Sequence, residues 1–128
     1  MVAITGMFSG FAVTDIDKAR TFYRDTLGLS VEDNAMTALD IALPQGGIIF
    51  VYPKADHEPA TFTVLNLEVA DIDAAVDELK SKGVVFEVYD GAHQDEKAIA
   101  RGKAAGFGPD IAWFLDPSGN VLSVLSAA

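Results

Sequence analysis

An internal repeat limits the folds open to this chain more than any other property of its sequence. Residues 13–19, Val-Thr-Asp-Ile-Asp-Lys-Ala, return as Val-Ala-Asp-Ile-Asp-Ala-Ala at residues 69–75. Each half also ends alike, with Gly-Gly-Ile-Ile-Phe-Val-Tyr at 46–52 and Gly-Asn-Val-Leu-Ser-Val-Leu at 119–125. Because the second half is longer between these segments, we place an insertion at residues 89–109. A chain duplicated in this way is expected to fold as two similar modules.

Each half begins with a strand that leads into a capped helix. In the first half Asp15 is the predicted N-cap, apolar residues recur at helical spacing as far as Leu27, and Gly28 ends the helix. In the second half Asp71 and Gly83 have the same two roles. Short apolar strands follow in both halves, so each half is predicted to be a β-α-β-β-β unit.

Three further predictions concern local structure in the second half. Residues 84–88 are predicted to form a strand, and residues 95–101 a helical turn within the insertion. Residues 110–125 are predicted to form two apolar strands around a turn. Pro117 presets the backbone of that turn, and Gly119 can adopt a positive φ within it.

The composition excludes several classes of function. The formal net charge is −10, from 9 basic and 19 acidic residues, so the chain lacks the clustered cations that bind nucleic-acid phosphates or an anionic membrane. Its apolar runs are far shorter than the roughly 20 residues that span a bilayer. The absence of cysteine removes disulfides and thiolate chemistry. With no signal peptide evident in the first residues, we expect a cytoplasmic protein.

The repeated segments resemble the vicinal oxygen chelate superfamily, which comprises glyoxalases, bleomycin-resistance proteins and ring-cleaving dioxygenases. The resemblance rests on residues 15–28, on residues 71–83 and on Phe-Leu-Asp-Pro-Ser-Gly-Asn at 114–120, in this order within a duplicated chain. It implies an α+β fold, in which two tandem β-α-β-β-β modules form a curved mixed sheet with the helices outside.

The same resemblance has implications for domain organisation and assembly. It implies a single domain over residues 1–128, with module 1 at about 1–55 and module 2 at about 60–128. Small members of the superfamily usually pair, so it also implies a homodimer.

Metal-dependent members of that superfamily carry a His in the first strand of each module and a Glu or similar group in the last strand. The resemblance places Phe8 and Val64 at the first-strand positions, and Phe50 and Ser123 at the last-strand positions. Divalent metals need converging imidazole, carboxylate or thiolate ligands. Three of these side chains are hydrocarbons, and the nearest neighbouring candidate, Asn66, is a weak ligand. We therefore expect no metal and no other cofactor.

An apolar, partly aromatic pocket remains, of the kind that binds small organic molecules. Trp113 and Phe114 alternate along a strand, so one of them faces the pocket and the other faces the helix. We predict a metal-independent binding protein that sequesters or carries an apolar or aromatic compound. Eight residues are predicted to bind the ligand: Phe8, Phe50, Tyr52, Val64, Tyr89, Arg101, Trp113 and Ser123.

Three alternatives stay open. A lyase or isomerase would use His93 as acid or base with Asp95 or Glu96, although a solvated loop and a salt bridge from Arg101 would explain the same residues. A glyoxalase-like or dioxygenase-like metalloenzyme would need displaced ligands, drawn from His57, His93, Asp95 and Glu96. A homodimer that binds a partner and no ligand is the third. Because the usual metal ligands are missing, an enzyme is the less favoured interpretation.

Overall fold

The computed structural model describes residues 1–126, and the contacts divide the chain into two compact units, Met1–Glu58 and Pro59–Ala128. Each unit contains a four-stranded mixed sheet and a helix capped by an aspartate. This architecture confirms the predicted α+β class and the duplication into two modules. Within the described residues no helix is long and apolar enough to cross a membrane.

The first unit follows the predicted order of elements. They are β1 (Ser9–Val13), α1 (Ile16–Thr21), a π-helical segment (Phe22–Thr26), β2 (Val31–Asp33), β3 (Leu39–Ala42) and β4 (Ile48–Pro53). The strand order in the sheet is β1-β4-β3-β2. β1 runs parallel to β4, and the other neighbouring strands are antiparallel. The last strand of the unit therefore lies in the centre of the sheet, beside the first.

The helix of the first unit begins at the predicted residue but ends differently. The Asp15 carboxylate accepts hydrogen bonds from the backbone N–H groups of residues 17 and 18 at 3.0 and 3.1 Å, which caps α1. The last turn is π-helical instead of α-helical. Tyr23, in that turn, is fully buried, and its ring centroid lies 5.8 Å from that of Phe11 in β1. Gly28 then leaves the helix with a φ of +71°, which glycine adopts at no steric cost.

The second unit repeats this arrangement with a longer connection. Its elements are β5 (Thr63–Val69), α2 (Ile72–Ser81), β6 (Ala100–Arg101), α3 (Gly102–Ala105), β7 (Asp110–Leu115) and β8 (Val121–Ser126). The strand order is β5-β8-β7-β6, with β5 parallel to β8. The core lies between the sheet and α2, where Val76, Leu79, Phe114, Leu122 and Val124 are buried.

Two predictions for the second unit are wrong. Residues 84–88 do not form a strand; they make one isolated bridge, between Phe86 and Phe114, and a hydrogen bond from the Glu87 N–H to the Trp113 carbonyl oxygen. Residues 95–101 do not form a helical turn, because Asp95 accepts the backbone N–H groups of residues 97 and 99 and so closes a tight turn that leads into β6. Side-chain capping of this kind competes with helix formation.

The turn between β7 and β8 forms as predicted and sets the register of both strands. Asp116 is buried and accepts hydrogen bonds from the backbone N–H groups of Ser118 and Asn120 at 2.8 and 2.9 Å. Gly119 takes a φ of +84°. With the turn held in this way, Trp113 lies directly opposite Ser123 across the antiparallel pair.

Candidate functional site

Each sheet has one face that packs against its helix and a second, helix-free face. Residues directly opposite each other on neighbouring strands share a face. In the second unit Asn66, Ser123 and Trp113 form such a row across β5, β8 and β7. In the first unit the corresponding row contains Gly10 and Phe50. Each row lies on the helix-free face of its own sheet. The residues at the alternate positions along the same strands point to the opposite face, where they form the buried core.

Three aromatic rings line the helix-free face of the first unit. The ring centroids of Phe8 and Phe50 are 6.3 Å apart and meet edge to face, while Phe50 and Tyr52 are stacked at 5.6 Å. Phe8 is 70% exposed and Tyr52 is 38% exposed. A Cβ at Gly10 would lie 2.6 Å from the carbonyl oxygen of Phe50, so only glycine fits beside that strand. The structure therefore brings together the predicted residues Phe8, Phe50 and Tyr52.

The structure also determines which aromatic residue of β7 faces the helix. Phe114 is fully buried on the helix side, where its ring meets that of Phe86 edge to face at 5.6 Å. Trp113 is half-buried on the helix-free face, and the ring of Tyr89 packs edge-on against it at 5.6 Å. Burial raises the pKa of the Tyr89 phenol. Trp113 is thus the aromatic residue that a ligand on this face would meet.

Sequence reasoning missed the residue that holds Tyr89 in place. Gln94 accepts a hydrogen bond from the Tyr89 backbone N–H at 2.8 Å and donates to the carbonyl oxygens of Glu87 and Ala98 at 2.7 and 2.8 Å. A glutamine within a polar insertion carries no signal that would distinguish it from its solvated neighbours. The insertion is therefore packed against Trp113 by an amide that the sequence does not single out.

Ser123 has a polar partner that the sequence also left unassigned. Its Oγ donates a hydrogen bond of 2.6 Å to Oδ1 of Asn66 in the neighbouring strand. Ser123 is fully buried, whereas Asn66 is exposed. The predicted residue Val64 lies close by, at a β-bulge between the pairs Thr63–Val121 and Leu65–Leu122. Since a bulge shifts the register locally, Asn66 lies opposite Ser123, and Val64 does not.

Arg101 is placed on the other side of this sheet. Its guanidinium forms ion pairs of 2.8 Å with Asp73 of α2 and 2.8 Å with Asp95 of the insertion. These hydrogen bonds raise the pKa of Arg101, and its bond to Asp73, with a second from Lys97, lowers the pKa of the Asp73 carboxyl. The structure thus does not bring Arg101 to the row that contains Trp113. The ion pairs of Arg101 instead link the insertion to α2.

The candidate catalytic residues are not joined to one another. His93 is exposed, and within residues 1–126 no hydrogen bond connects it to Asp95 or Glu96. Burial raises the pKa of Asp95, but the hydrogen bonds from the Ile99 and Lys97 backbone and from Arg101 outweigh it and lower the pKa overall. A carboxylate stabilised in this way is a weak general base.

A surface depression of about 550 Å³ lies elsewhere on the second unit. It contains Glu96 and none of the eight predicted ligand-binding residues. Its lining comes from Lys80, residues 83–86, Val88 and residues 96–98. The eight predicted ligand-binding residues therefore lie outside this depression.

A comparison with known protein families shows which family the chain belongs to. A profile of the Glyoxalase/Bleomycin resistance protein/Dioxygenase superfamily matches residues 6–124. The chain belongs to this superfamily. The predicted resemblance is confirmed, and the match covers both units. A comparison with curated proteins finds no match.

Several solved structures have the same fold as this chain. An antibiotic binding protein from a Streptomyces species is 24% identical, with a TM-score of 0.65 and 100% of both chains covered. A superfamily member from Sphaerobacter thermophilus is 23% identical, with a TM-score of 0.65 and 94% and 97% of the two chains covered. A fosfomycin resistance protein from Listeria monocytogenes is 14% identical, with a TM-score of 0.68 and coverage of 98% and 96%.

The side chains at the positions where the resemblance places metal ligands do not fit a metal. Phe8 and Phe50 fill their positions with two rings in edge-to-face contact. In the second unit the side-chain oxygen atoms of the row Asn66–Ser123–Trp113 are the Ser123 hydroxyl and the Asn66 amide oxygen, and the hydroxyl donates a hydrogen bond to the amide oxygen. Among residues 1–126 no group of three or more His, Cys, Asp or Glu side chains is arranged to hold a metal ion.

Proposed function

We propose that the protein is a metal-independent small-molecule binding protein that sequesters or carries a planar aromatic or otherwise apolar compound. The observation that carries this proposal is the pair of Trp113 and Tyr89 rings, 5.6 Å apart beside the buried Ser123. Aromatic faces of this kind bind planar ligands by stacking and by burial of apolar area. The first unit has an aromatic surface of its own, formed by Phe8, Phe50 and Tyr52.

The chemistry of the metal positions supports binding over catalysis. An enzyme of the glyoxalase or dioxygenase type would need metal ligands, which the side chains at these positions do not provide. A lyase or isomerase would use His93 with Asp95, and among residues 1–126 no hydrogen bond joins these two side chains. One solved structure with this fold is described as an antibiotic binding protein. That description concerns a small organic molecule and agrees with the chemistry of the aromatic rows.

The test uses the single tryptophan of the chain as an internal probe. Because Trp113 lies in the proposed site, a planar aromatic ligand should change its fluorescence at stoichiometric concentration, and calorimetry should give the same affinity. Treatment with a chelator should leave the affinity unchanged. Tyr89→Leu should weaken binding by roughly 3–10-fold through lost ring contact.

A matched control lies on the same unit. Phe107 is 90% exposed and outside the row, so Phe107→Leu should bind as the unchanged protein does. If no compound in a panel of planar aromatic molecules gives heat or a fluorescence change, the proposal is wrong. If binding requires an added divalent metal, the metal-independent mechanism is wrong.

We also propose that the two modules act as one domain, that the protein forms a homodimer, and that it works in the cytoplasm. Small members of the superfamily usually form homodimers, which supports the dimer. The absence of cysteine is compatible with a reducing compartment such as the cytoplasm. Light scattering of the purified protein tests the dimer: a mass near 13.6 kDa would contradict it.

A further inference from the structure

We infer that Asn66, oriented by Ser123, selects ligands that carry a hydrogen-bond acceptor, such as the carbonyl oxygen of a planar aromatic ketone. This inference rests on the proposed function and assigns a ligand class to the same face. Its basis is the bond of 2.6 Å from Ser123 Oγ to Asn66 Oδ1.

The buried hydroxyl determines which end of the amide is available. Ser123 is fully buried, so its O–H needs an acceptor, and Oδ1 of Asn66 is the acceptor that the structure provides. A reversed amide would present N–H groups to the hydroxyl and leave the hydroxyl proton unpaired, at a free-energy cost. Ser123 therefore holds the amide with Oδ1 turned towards β8.

The two N–H groups of the Asn66 amide remain as donors. Among residues 1–126 the amide nitrogen has no hydrogen-bond partner, and Asn66 itself is exposed. A donor that is fixed in direction and open to a ligand favours a ligand with an acceptor, because a purely apolar ligand would cover the donor without bonding to it.

The row sets the distance between the Asn66 amide and the ring of Trp113. Asn66 and Trp113 are on strands either side of β8, so their separation is two strand spacings, roughly 10 Å. A compound of two or three fused rings can span that distance. One end would contact Trp113 and Tyr89, and an acceptor oxygen would accept a hydrogen bond from the Asn66 amide.

The inference can be tested with two compounds of nearly equal shape, fluorenone and fluorene, which differ by a carbonyl in place of a methylene group. Equilibrium dialysis gives the affinity of each. The unchanged protein should bind fluorenone about 3–10-fold more tightly than fluorene, the effect of one net hydrogen bond. The Asn66 side-chain amide protons should shift downfield with fluorenone, because they form a new hydrogen bond, and should show no such downfield shift with fluorene.

Two substitutions separate the donor from the residue that orients it. Asn66→Asp keeps the shape and still accepts the Ser123 hydroxyl, but it removes both donors, so the preference for fluorenone over fluorene should disappear. Ser123→Ala removes the orienting bond and should reduce the preference to about half or less. Gln45→Glu, in an exposed turn of the first unit, makes the same change of charge and should alter neither affinity.

The outcomes distinguish this inference from the proposed function. If both compounds bind equally well to the unchanged protein, the function stands and the role of Asn66 is wrong. If the preference persists in Asn66→Asp, the donor lies elsewhere, and if it persists in full in Ser123→Ala, the orienting role is wrong. If neither compound binds and the wider panel also fails, the proposed function itself is wrong.

Discussion

A buried and an exposed phenylalanine of the second unit should respond very differently to substitution, and Phe114→Ala is the sharpest case. Phe114 is fully buried between the sheet and α2, in contact with the ring of Phe86. The matched control is Phe107→Ala, which removes the same atoms from a residue that is 90% exposed in the same unit.

The expected cost of Phe114→Ala is about 4 kcal/mol. Burying a phenylalanine removes roughly 150–250 Å² from water, and at about 25 cal/mol per Å² that area is worth roughly 4–6 kcal/mol as an upper bound. Measured Phe-to-Ala changes in protein cores cost about 3–5 kcal/mol. Phe86 is poorly placed to fill the cavity, because the neighbouring Glu87 N–H is hydrogen-bonded to the Trp113 carbonyl oxygen. Phe107→Ala should change stability by no more than about 0.5 kcal/mol.

Urea unfolding measures both free energies, followed by far-ultraviolet circular dichroism and by the fluorescence of Trp113. With a slope of roughly 2 kcal/mol per molar urea, 4 kcal/mol lowers the midpoint by about 2 M. The two probes should give the same transition for each variant. If Phe114→Ala is too unstable to purify, Phe114→Leu should cost about 1–1.5 kcal/mol and serves in its place.

A cost for Phe114→Ala below about 1 kcal/mol, or one equal to that of Phe107→Ala, would refute the assignment of Phe114 to the core. Ligand binding gives a second check. Phe114→Leu should leave the affinity of a planar ligand unchanged, because the ligand is expected on the opposite face of β7. A loss of affinity comparable to that in Tyr89→Leu would contradict the division between the two faces.

Three further predictions concern backbone fit and the charged network. Gly10→Ala should cost roughly 1–3 kcal/mol in urea unfolding, because its Cβ would lie 2.6 Å from the Phe50 carbonyl oxygen, whereas Gly6→Ala meets nothing within 4 Å and should cost less than about 0.5 kcal/mol; equal costs would contradict this. Arg101→Met should speed hydrogen exchange at residues 95–101, since it removes the ion pairs to Asp73 and Asp95, while Lys103→Met should not. The folded-state pKa values of both carboxyls are lowered, so their stabilisation is complete above the ordinary aspartate pKa near 4 and is lost as the pH falls towards the lowered values. The stability difference between the unchanged protein and Arg101→Met should therefore shrink below about pH 4, and a constant difference down to about pH 2 would contradict the role of these two carboxyls.

The elements predicted well are those whose signals are local. Asp15 and Asp71 cap their helices, and Gly28 and Gly83 end them with positive φ, because capping and left-handed backbone depend on residues within one turn. The insertion was predicted less well. At residues 95–101 the local side-chain bonds of Asp95 competed with the helical turn. The loss of a regular strand at 84–88 depends on neighbours from β7 that lie far along the chain.

At the candidate site the structure groups some of the predicted residues and separates others, and their role in binding stays a prediction. Phe8, Phe50 and Tyr52 form ring contacts in the first unit, and Tyr89 and Trp113 form one in the second. The partner of Ser123 was not expected, because the bulge at Val64 moves Asn66 opposite Ser123. Arg101 was expected near a ligand, but it is paired with acidic residues on the helix side.

By itself the sequence determined the duplicated α+β modules, the capped helices, the turn at 116–120 and the hydrocarbon side chains of Phe8, Phe50 and Val64. These properties follow from residue type and short-range spacing. Only the tertiary structure decided that Trp113 and not Phe114 lies on the helix-free face, and that Ser123 donates to Asn66. Strand alternation leaves two equivalent choices of face, and only pairing with distant strands and packing against α2 select one of them.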